Sequence, residues 1–272
     1  MLFLMANIWN LNIIKSSLAL MLLTLPLTGQ QQFQLLEVIP IDAQFVTTDH
    51  FNNIYLIDKK GSLIKLEKGK EPVVYSETRF GNLRYIDAAN PLKLLLFYPD
   101  YSTIIVLDKN LALLGAHQLQ YRNLRDIPAA GLSQDNKIWI YDKSDFKLKK
   151  LDDNAEILLE SERLNSLDID LNPNFILSRN NWVYLNDPVN GIYVFDNYAT
   201  YYKKIPLTGL QRFQILDDQL VYYKNNELNI FNLKTLEPVT VALPDTSEVI
   251  SVSIQKSRLF LAKPNAIKVY TY

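Results

Sequence analysis

Every forty-odd residues this chain repeats one short apolar run, and that period restricts its folding more than any other feature. The copies begin Asn53-Ile54-Tyr55, Leu94-Leu95-Leu96, Lys137-Ile138-Trp139, Asn181-Trp182-Val183, Gln219-Leu220-Val221 and Arg258-Leu259-Phe260. Their third residues fall at 55, 96, 139, 183, 221 and 260, which are 41, 43, 44, 38 and 39 residues apart. A second run follows each of most copies, as in Thr103-Ile104-Ile105-Val106-Leu107 and Gly191-Ile192-Tyr193-Val194-Phe195. Between the two lie polar turns such as Asp58-Lys59-Lys60-Gly61 and Lys224-Asn225-Asn226, whose residue types supply hairpin backbone angles. An outer run (Pro72-Val73-Val74-Tyr75, Pro238-Val239-Thr240-Val241) and an inner one (Gln44-Phe45-Val46-Thr47, Phe213-Gln214-Ile215-Leu216) complete each unit.

Four strands per unit cannot bury both faces of their small sheet alone. Units of this length bury them by stacking round an axis, which predicts an all-β, six-bladed β-propeller. Sustained helical periodicity is absent. Residues 154–164 contain the helix formers Ala155, Glu156, Leu158, Leu159 and Glu160, yet the repeat register assigns them to an outer strand and loop. The last unit reaches Tyr272 one strand short, while Phe33-Gln34-Leu35-Leu36-Glu37-Val38-Ile39 has no unit of its own. The last blade is therefore expected to be closed by the N-terminal strand, which removes two bare sheet edges. The first unit, through Val46, Asp49, Asn53, Ile54, Tyr55, Leu56 and Asp58, resembles the repeats of NHL-type six-bladed propellers. That resemblance implies an architecture and no binding residues. The Gly-rich start of the NHL repeat is missing, with only 8 glycines in the chain.

Residues 1–29 read differently. Lys15 precedes the apolar run Leu18-Ala19-Leu20-Met21-Leu22-Leu23, which ends at Pro26 and Gly29 before Gln30-Gln31-Gln32. A lone positive charge, a short apolar stretch and a small residue describe a secretory signal peptide, or failing cleavage an N-terminal anchor. The run is shorter than the ~20 residues of a spanning helix. The expectation is residues 1–29 as the leader and 30–272 as one propeller domain, exported to a periplasmic or extracellular location. With no cysteine, the chain cannot be a lipoprotein, form disulfides, or use a thiolate as metal ligand or nucleophile. Its formal net charge of -1 gives no electrostatic footprint for nucleic acid. Membrane association is expected only through an uncleaved N-terminal segment.

Catalytic signatures are scarce. The two histidines, His50 and His117, fall in different parts of different units, so a shared metal is not expected. No Gly-x-Ser-x-Gly segment or glycine-rich phosphate loop occurs, and no cofactor is expected. The acidic clusters Asp152-Asp153, Asp168-Ile169-Asp170 and Asp217-Asp218 read first as turn residues. The less ordinary pattern is Asn82-Leu83-Arg84 and Asn123-Leu124-Arg125, 41 residues apart, with Gln211-Arg212-Phe213 at the comparable place in the fifth unit. Each precedes an inner strand. Arg84, Arg125 and Arg212 are thus candidate ligand-binding residues for a carboxylate, phosphate or acidic peptide at the channel mouth. The alternative is that each pairs with a nearby aspartate such as Asp87 or Asp126. The function expected is a non-enzymatic scaffold binding a protein, peptide or anionic ligand in the cell envelope. The competing expectation is a carboxylate-dependent hydrolase or lyase, with or without Ca²⁺ assistance, acting on a lactone or sugar in the channel.

Overall fold

The computed structural model describes residues 33–164, 171–255 and 257–272. The leader expected at 1–29, and Asp168 and Asp170, lie outside the described residues. The rest forms six four-stranded antiparallel sheets. From the axis outwards, blade 1 is Phe45–Thr48, Ile54–Ile57, Leu63–Leu66 and Val73–Tyr75. Blade 2 is Tyr85–Asp87, Lys93–Tyr98, Thr103–Asp108 and Leu113–Gln118. Blade 3 is Ala129–Leu132, Ile138–Asp142, Lys147–Leu151 and Ile157–Glu160, so residues after Asn154 form the outer strand that the register demands. Blade 4 is Phe175–Arg179, Trp182–Asp187, Gly191–Asp196 and Tyr201–Ile205. Blade 5 is Gln214–Leu216, Gln219–Lys224, Glu227–Asn232 and Pro238–Val241. Blade 6 takes Ser251–Gln255, Arg258–Lys263 and Ala266–Thr271 from the C-terminal end. Its outer strand is Gln34–Ile39, which pairs with Ala266–Thr271 and closes the ring.

The repeat positions explain why the sheets stack. Tyr55, Leu96, Trp139, Val183, Val221 and Phe260 are all buried, each on the second strand of its blade. The apolar clusters lie between blades rather than within them. Leu63 and Leu96 belong to a cluster joining blades 1 and 2, Trp139 and Val183 to one joining 3 and 4. Val221 and Leu261 join blades 5 and 6, and Leu56 and Phe260 join blades 1 and 6. The largest cluster links blades 2 to 5 through Tyr85, Ile140, Phe175 and Phe213. Removing one blade would expose apolar faces on two neighbours, so the ring is cooperative.

Few glycines are needed because the hairpin turns use another device. Asp58, Asp108, Asp152 and Asp196 each accept, on Oδ1, the backbone N–H two and four residues ahead. The residue three ahead is left-handed: Gly61 in the first turn, but Leu111, Ala155 and Ala199 in the others. A non-glycine there costs roughly 1–2 kcal/mol. All three are buried, so apolar burial and the aspartate bonds offset that strain.

Blade 6 is also tied to the loop before it. Asp245 accepts from the ammonium groups of Lys263 and Lys268 and from Ser247 Oγ. These donors, Lys263 first, hold its carboxyl far below the usual aspartate range. A depressed folded pKa stabilises the protein above the unfolded value, ~3.9, and that contribution is lost as pH falls below it. Asp245→Asn is therefore expected to lower urea stability at neutral pH and to lose this deficit towards acid pH. A deficit independent of pH, measured by urea titrations across that range, would contradict the assignment.

Candidate functional site

The axis holds a cavity of about 530 Å³, lined by blades 1, 2, 4, 5 and 6. Blade 3 is absent from the lining. A Cβ on Gly131 would stand 2.5 Å from the Ile176 carbonyl oxygen, so glycine lets the inner strand of blade 3 press onto blade 4. All four residues of that strand are buried.

Around the axis the inner strands place an aromatic collar. Phe45 and Tyr85 have ring centroids 6.4 Å apart, Tyr85 and Phe175 5.2 Å, and Phe175 and Phe213 5.2 Å, all edge to face. Arg212 enters this collar. Its guanidinium carbon lies 4.4 Å from the Phe45 centroid, 4.5 Å from Tyr85 and 5.6 Å from Phe175. Aromatic faces attract a cation through their quadrupoles, and more so when it is desolvated. One guanidinium nitrogen, Nη2, donates to the Arg84 carbonyl at 3.0 Å. The other, Nη1, is buried without a partner. Burial pulls the Arg212 pKa down to about 10, with Arg84 adding to that effect and Tyr85 and Asp87 opposing it. Arg212 thus stays charged at neutral pH without an ion-pair partner among the described residues.

Arg84 also lines the cavity, with its side chain exposed. Arg125 is exposed but does not line it. Arg84 immediately precedes Tyr85–Asp87, whereas Arg125 stands four residues before Ala129–Leu132. Three residues, Asp126-Ile127-Pro128, intervene between the second Asn-Leu-Arg motif and its inner strand, so the two motifs are out of register.

The carboxylates on the axis are committed to the fold. Asp49 accepts from the backbone of Phe51 and Asn53, from Asn53 Nδ2 and from the Tyr55 hydroxyl, at 2.8–3.0 Å. Asp87 accepts from Ala89 N at 2.9 Å and from Leu132 N, across the blade boundary, at 2.8 Å. Among the described residues, neither forms an ion pair with arginine. Other lining groups staple blades in the same way. Gln214 gives one hydrogen bond to the Ile254 carbonyl and takes one from its N–H. Thr48 Oγ1 meets Ser253 Oγ at 2.7 Å. In a propeller the innermost strand edges face the axis, where backbone groups lack a strand partner and need such side chains.

The remaining sequence candidates are dispersed. His50 sits in a blade 1 turn against Phe51, 4.1 Å between centroids, and His117 in the outer strand of blade 2. Asp152 closes a turn, Asp153 pairs with Lys93 and Lys137, and Asp218 pairs with Lys234. Among the described residues, no three metal-ligating side chains gather in one place. The collar aromatics do follow the repeat, since Phe45, Tyr85 and Phe175 each open an inner strand and Phe213 immediately precedes one, but the sequence does not show that Arg212 enters among them.

No protein-family model matches the chain, and no curated protein does. Solved structures do. The chain is similar to a catalytically inactive variant of virginiamycin B lyase from Staphylococcus aureus with quinupristin. The identity is 12%, covering 89% of this chain and 99% of that one, with a TM-score of 0.62. The Neurospora crassa Pan2 WD40 domain matches at 10% identity over 86% and 80%, TM-score 0.58. BamB from Moraxella catarrhalis matches at 11% identity over 89% and 100%, TM-score 0.55. At such identities the likeness is one of fold.

Proposed function

We propose that this chain is an exported, non-enzymatic β-propeller that binds a protein or peptide partner in the cell envelope, receiving an anionic group of that partner beside Arg84 and Arg212. The observation that supports this most is the imbalance at the axis. A desolvated guanidinium keeps an unpartnered nitrogen, while the axial carboxylates already accept from the chain's own donors, four hydrogen bonds at Asp49 and one on each oxygen of Asp87. An uncompensated buried cation is costly and favours an incoming anion. Carboxylates held by the chain's own donors are poorly placed as general bases or calcium ligands. That weighs against a hydrolase or lyase at the axis, so the similarity to a lyase is carried by fold alone. Export is supported by the leader-like pattern of residues 1–29.

The test is capture from native envelopes with tagged full-length protein, comparing wild type with Arg84→Ala and Arg212→Met. A partner enriched by wild type and recovered about tenfold less by each variant is the expected result. Circular dichroism checks that both variants fold. Recovery of nothing above background, or equal recovery by all three proteins, would refute the reading. N-terminal sequencing of the fractionated protein should find cleavage after Gly29.

A further inference from the structure

A second concavity, of about 570 Å³, opens beside the turns of blades 1 and 2, with Arg258 of blade 6 in its lining. Its other cations are Lys65, Lys68, Lys70 and Lys109, and its one carboxylate is Glu67. Lys65 is buried, donates to the Lys109 carbonyl at 2.7 Å and lies 3.4 Å from Glu67. Lys70 lies 2.6 Å from the other Glu67 oxygen. The single anion is therefore already shared by two lysines. Lys68, Lys109 and Arg258 have no acidic partner among the described residues. Several lysines elsewhere are matched, Lys93 and Lys137 by Asp153, Lys150 by Asp135, Lys263 and Lys268 by Asp245, while Lys203 and Lys204 lie over tyrosine rings. On a chain of net charge -1, this is a local separation of charge.

Two further features belong to the same concavity. Phe51 and Leu92 line it while 64% and 63% exposed. Asn52 lines it too, and its Oδ1 is a buried acceptor without a donor.

We propose that this cleft docks an acidic segment of a protein partner, one that also carries apolar side chains; the idea rests on reading the chain as a binding module but uses a site separate from the axis. Charge complementarity selects an acidic ligand. Phe51 and Leu92 offer apolar surface that inorganic phosphate cannot use. Asn52 Oδ1 needs a donor, and the backbone N–H groups of a peptide can supply one. A bilayer surface is planar on this scale and cannot follow a concave floor.

The probe is a short fluorescein-labelled peptide of alternating glutamate and leucine, titrated with the full-length protein and read by anisotropy. Saturable binding is expected, weakening about tenfold as salt rises from ~0.05 to ~0.3 M. Lys68→Glu with Lys109→Glu, both exposed positions, should weaken it at least about tenfold. Phe51→Ser with Leu92→Ser should weaken it about fivefold while leaving an all-glutamate peptide unaffected. The proposal is overturned if charge reversal changes nothing, if the all-glutamate peptide or tripolyphosphate binds as tightly, or if phosphatidylglycerol vesicles compete fully. Absence of peptide binding alongside intact envelope capture would remove the cleft alone. Peptide binding without any captured partner would instead count against the function proposed above.

Discussion

A chain beginning at Pro40 is expected to lose its sharp thermal transition near the wild-type temperature and to associate in solution. The strand it lacks, Gln34–Ile39, runs antiparallel to Ala266–Thr271 with Gln34 opposite Thr271 and Ile39 opposite Ile267. Most of its side chains are exposed, so it contributes little core. Ile39 is partly buried against the blade 1–6 cluster, and the neighbouring Phe33 meets Tyr272 edge to face at 5.7 Å. The backbone ladder stabilises the closure more than these side chains do. Net contributions of about 1 kcal/mol per hydrogen bond put the loss at roughly 3–5 kcal/mol. For a domain of this size that lowers the melting temperature by about 10 °C. The exposed Ala266–Thr271 edge would then recruit a strand from another molecule. Calorimetry and size-exclusion chromatography of chains starting at Phe33 and at Pro40 decide the matter. Two monomers melting together would show that the strand is decoration, not a latch.

That closure was legible in the sequence because it follows from counting: a last unit one strand short, and an N-terminal run without a unit. The blades were legible for a related reason. Second-strand residues such as Trp139 and Val183 must be apolar wherever two sheets stack, so burial writes its period into the chain. The aromatics at the axis share that period, because Phe45, Tyr85 and Phe175 each open an inner strand, but the period does not reveal which arginine enters among them. The cavity's shape also depends on how closely each inner strand approaches: Gly131 lets blade 3 press onto blade 4, and blade 3 does not line the cavity. The motif shared by Arg84 and Arg125 suggests equivalence, yet three residues lie between Arg125 and its inner strand and none between Arg84 and its own. Asp87, considered as an arginine's ion partner, instead holds two backbone amides. Nor does the basic cleft follow from net charge, since a chain near neutrality can still segregate its cations. Its members lie on three blades and converge only after folding.

The role of Asp87 leads to the other large effect. Replacing it with alanine leaves the N–H groups of Ala89 and Leu132 without acceptors in a buried place. Each orphaned amide costs about 1–3 kcal/mol. Against that stands relief of a buried charge, because desolvation raises the Asp87 pKa, with the two backbone bonds and Arg212 opposing the rise. The orphaned amides win: a net loss of about 2–4 kcal/mol is expected for Asp87→Ala. The dependence on pH is the more telling measurement. A carboxyl whose folded pKa is raised binds protons more tightly when folded, so its contribution is greatest below the unfolded value and declines as pH rises through the folded one. Protonation keeps acceptor capacity for the amides, whereas alanine removes it. The penalty of Asp87→Ala should therefore grow as pH is lowered from neutrality, opposite in sign to the trend at Asp245. Asp87→Asn, with one acceptor oxygen in place of two, should fall between the wild type and alanine at neutral pH. Urea titrations of the three proteins would contradict this account if the alanine penalty shrank on acidification. That outcome would mean the buried charge, rather than the bond across the blade boundary to Leu132, dominates the energetics of the axis.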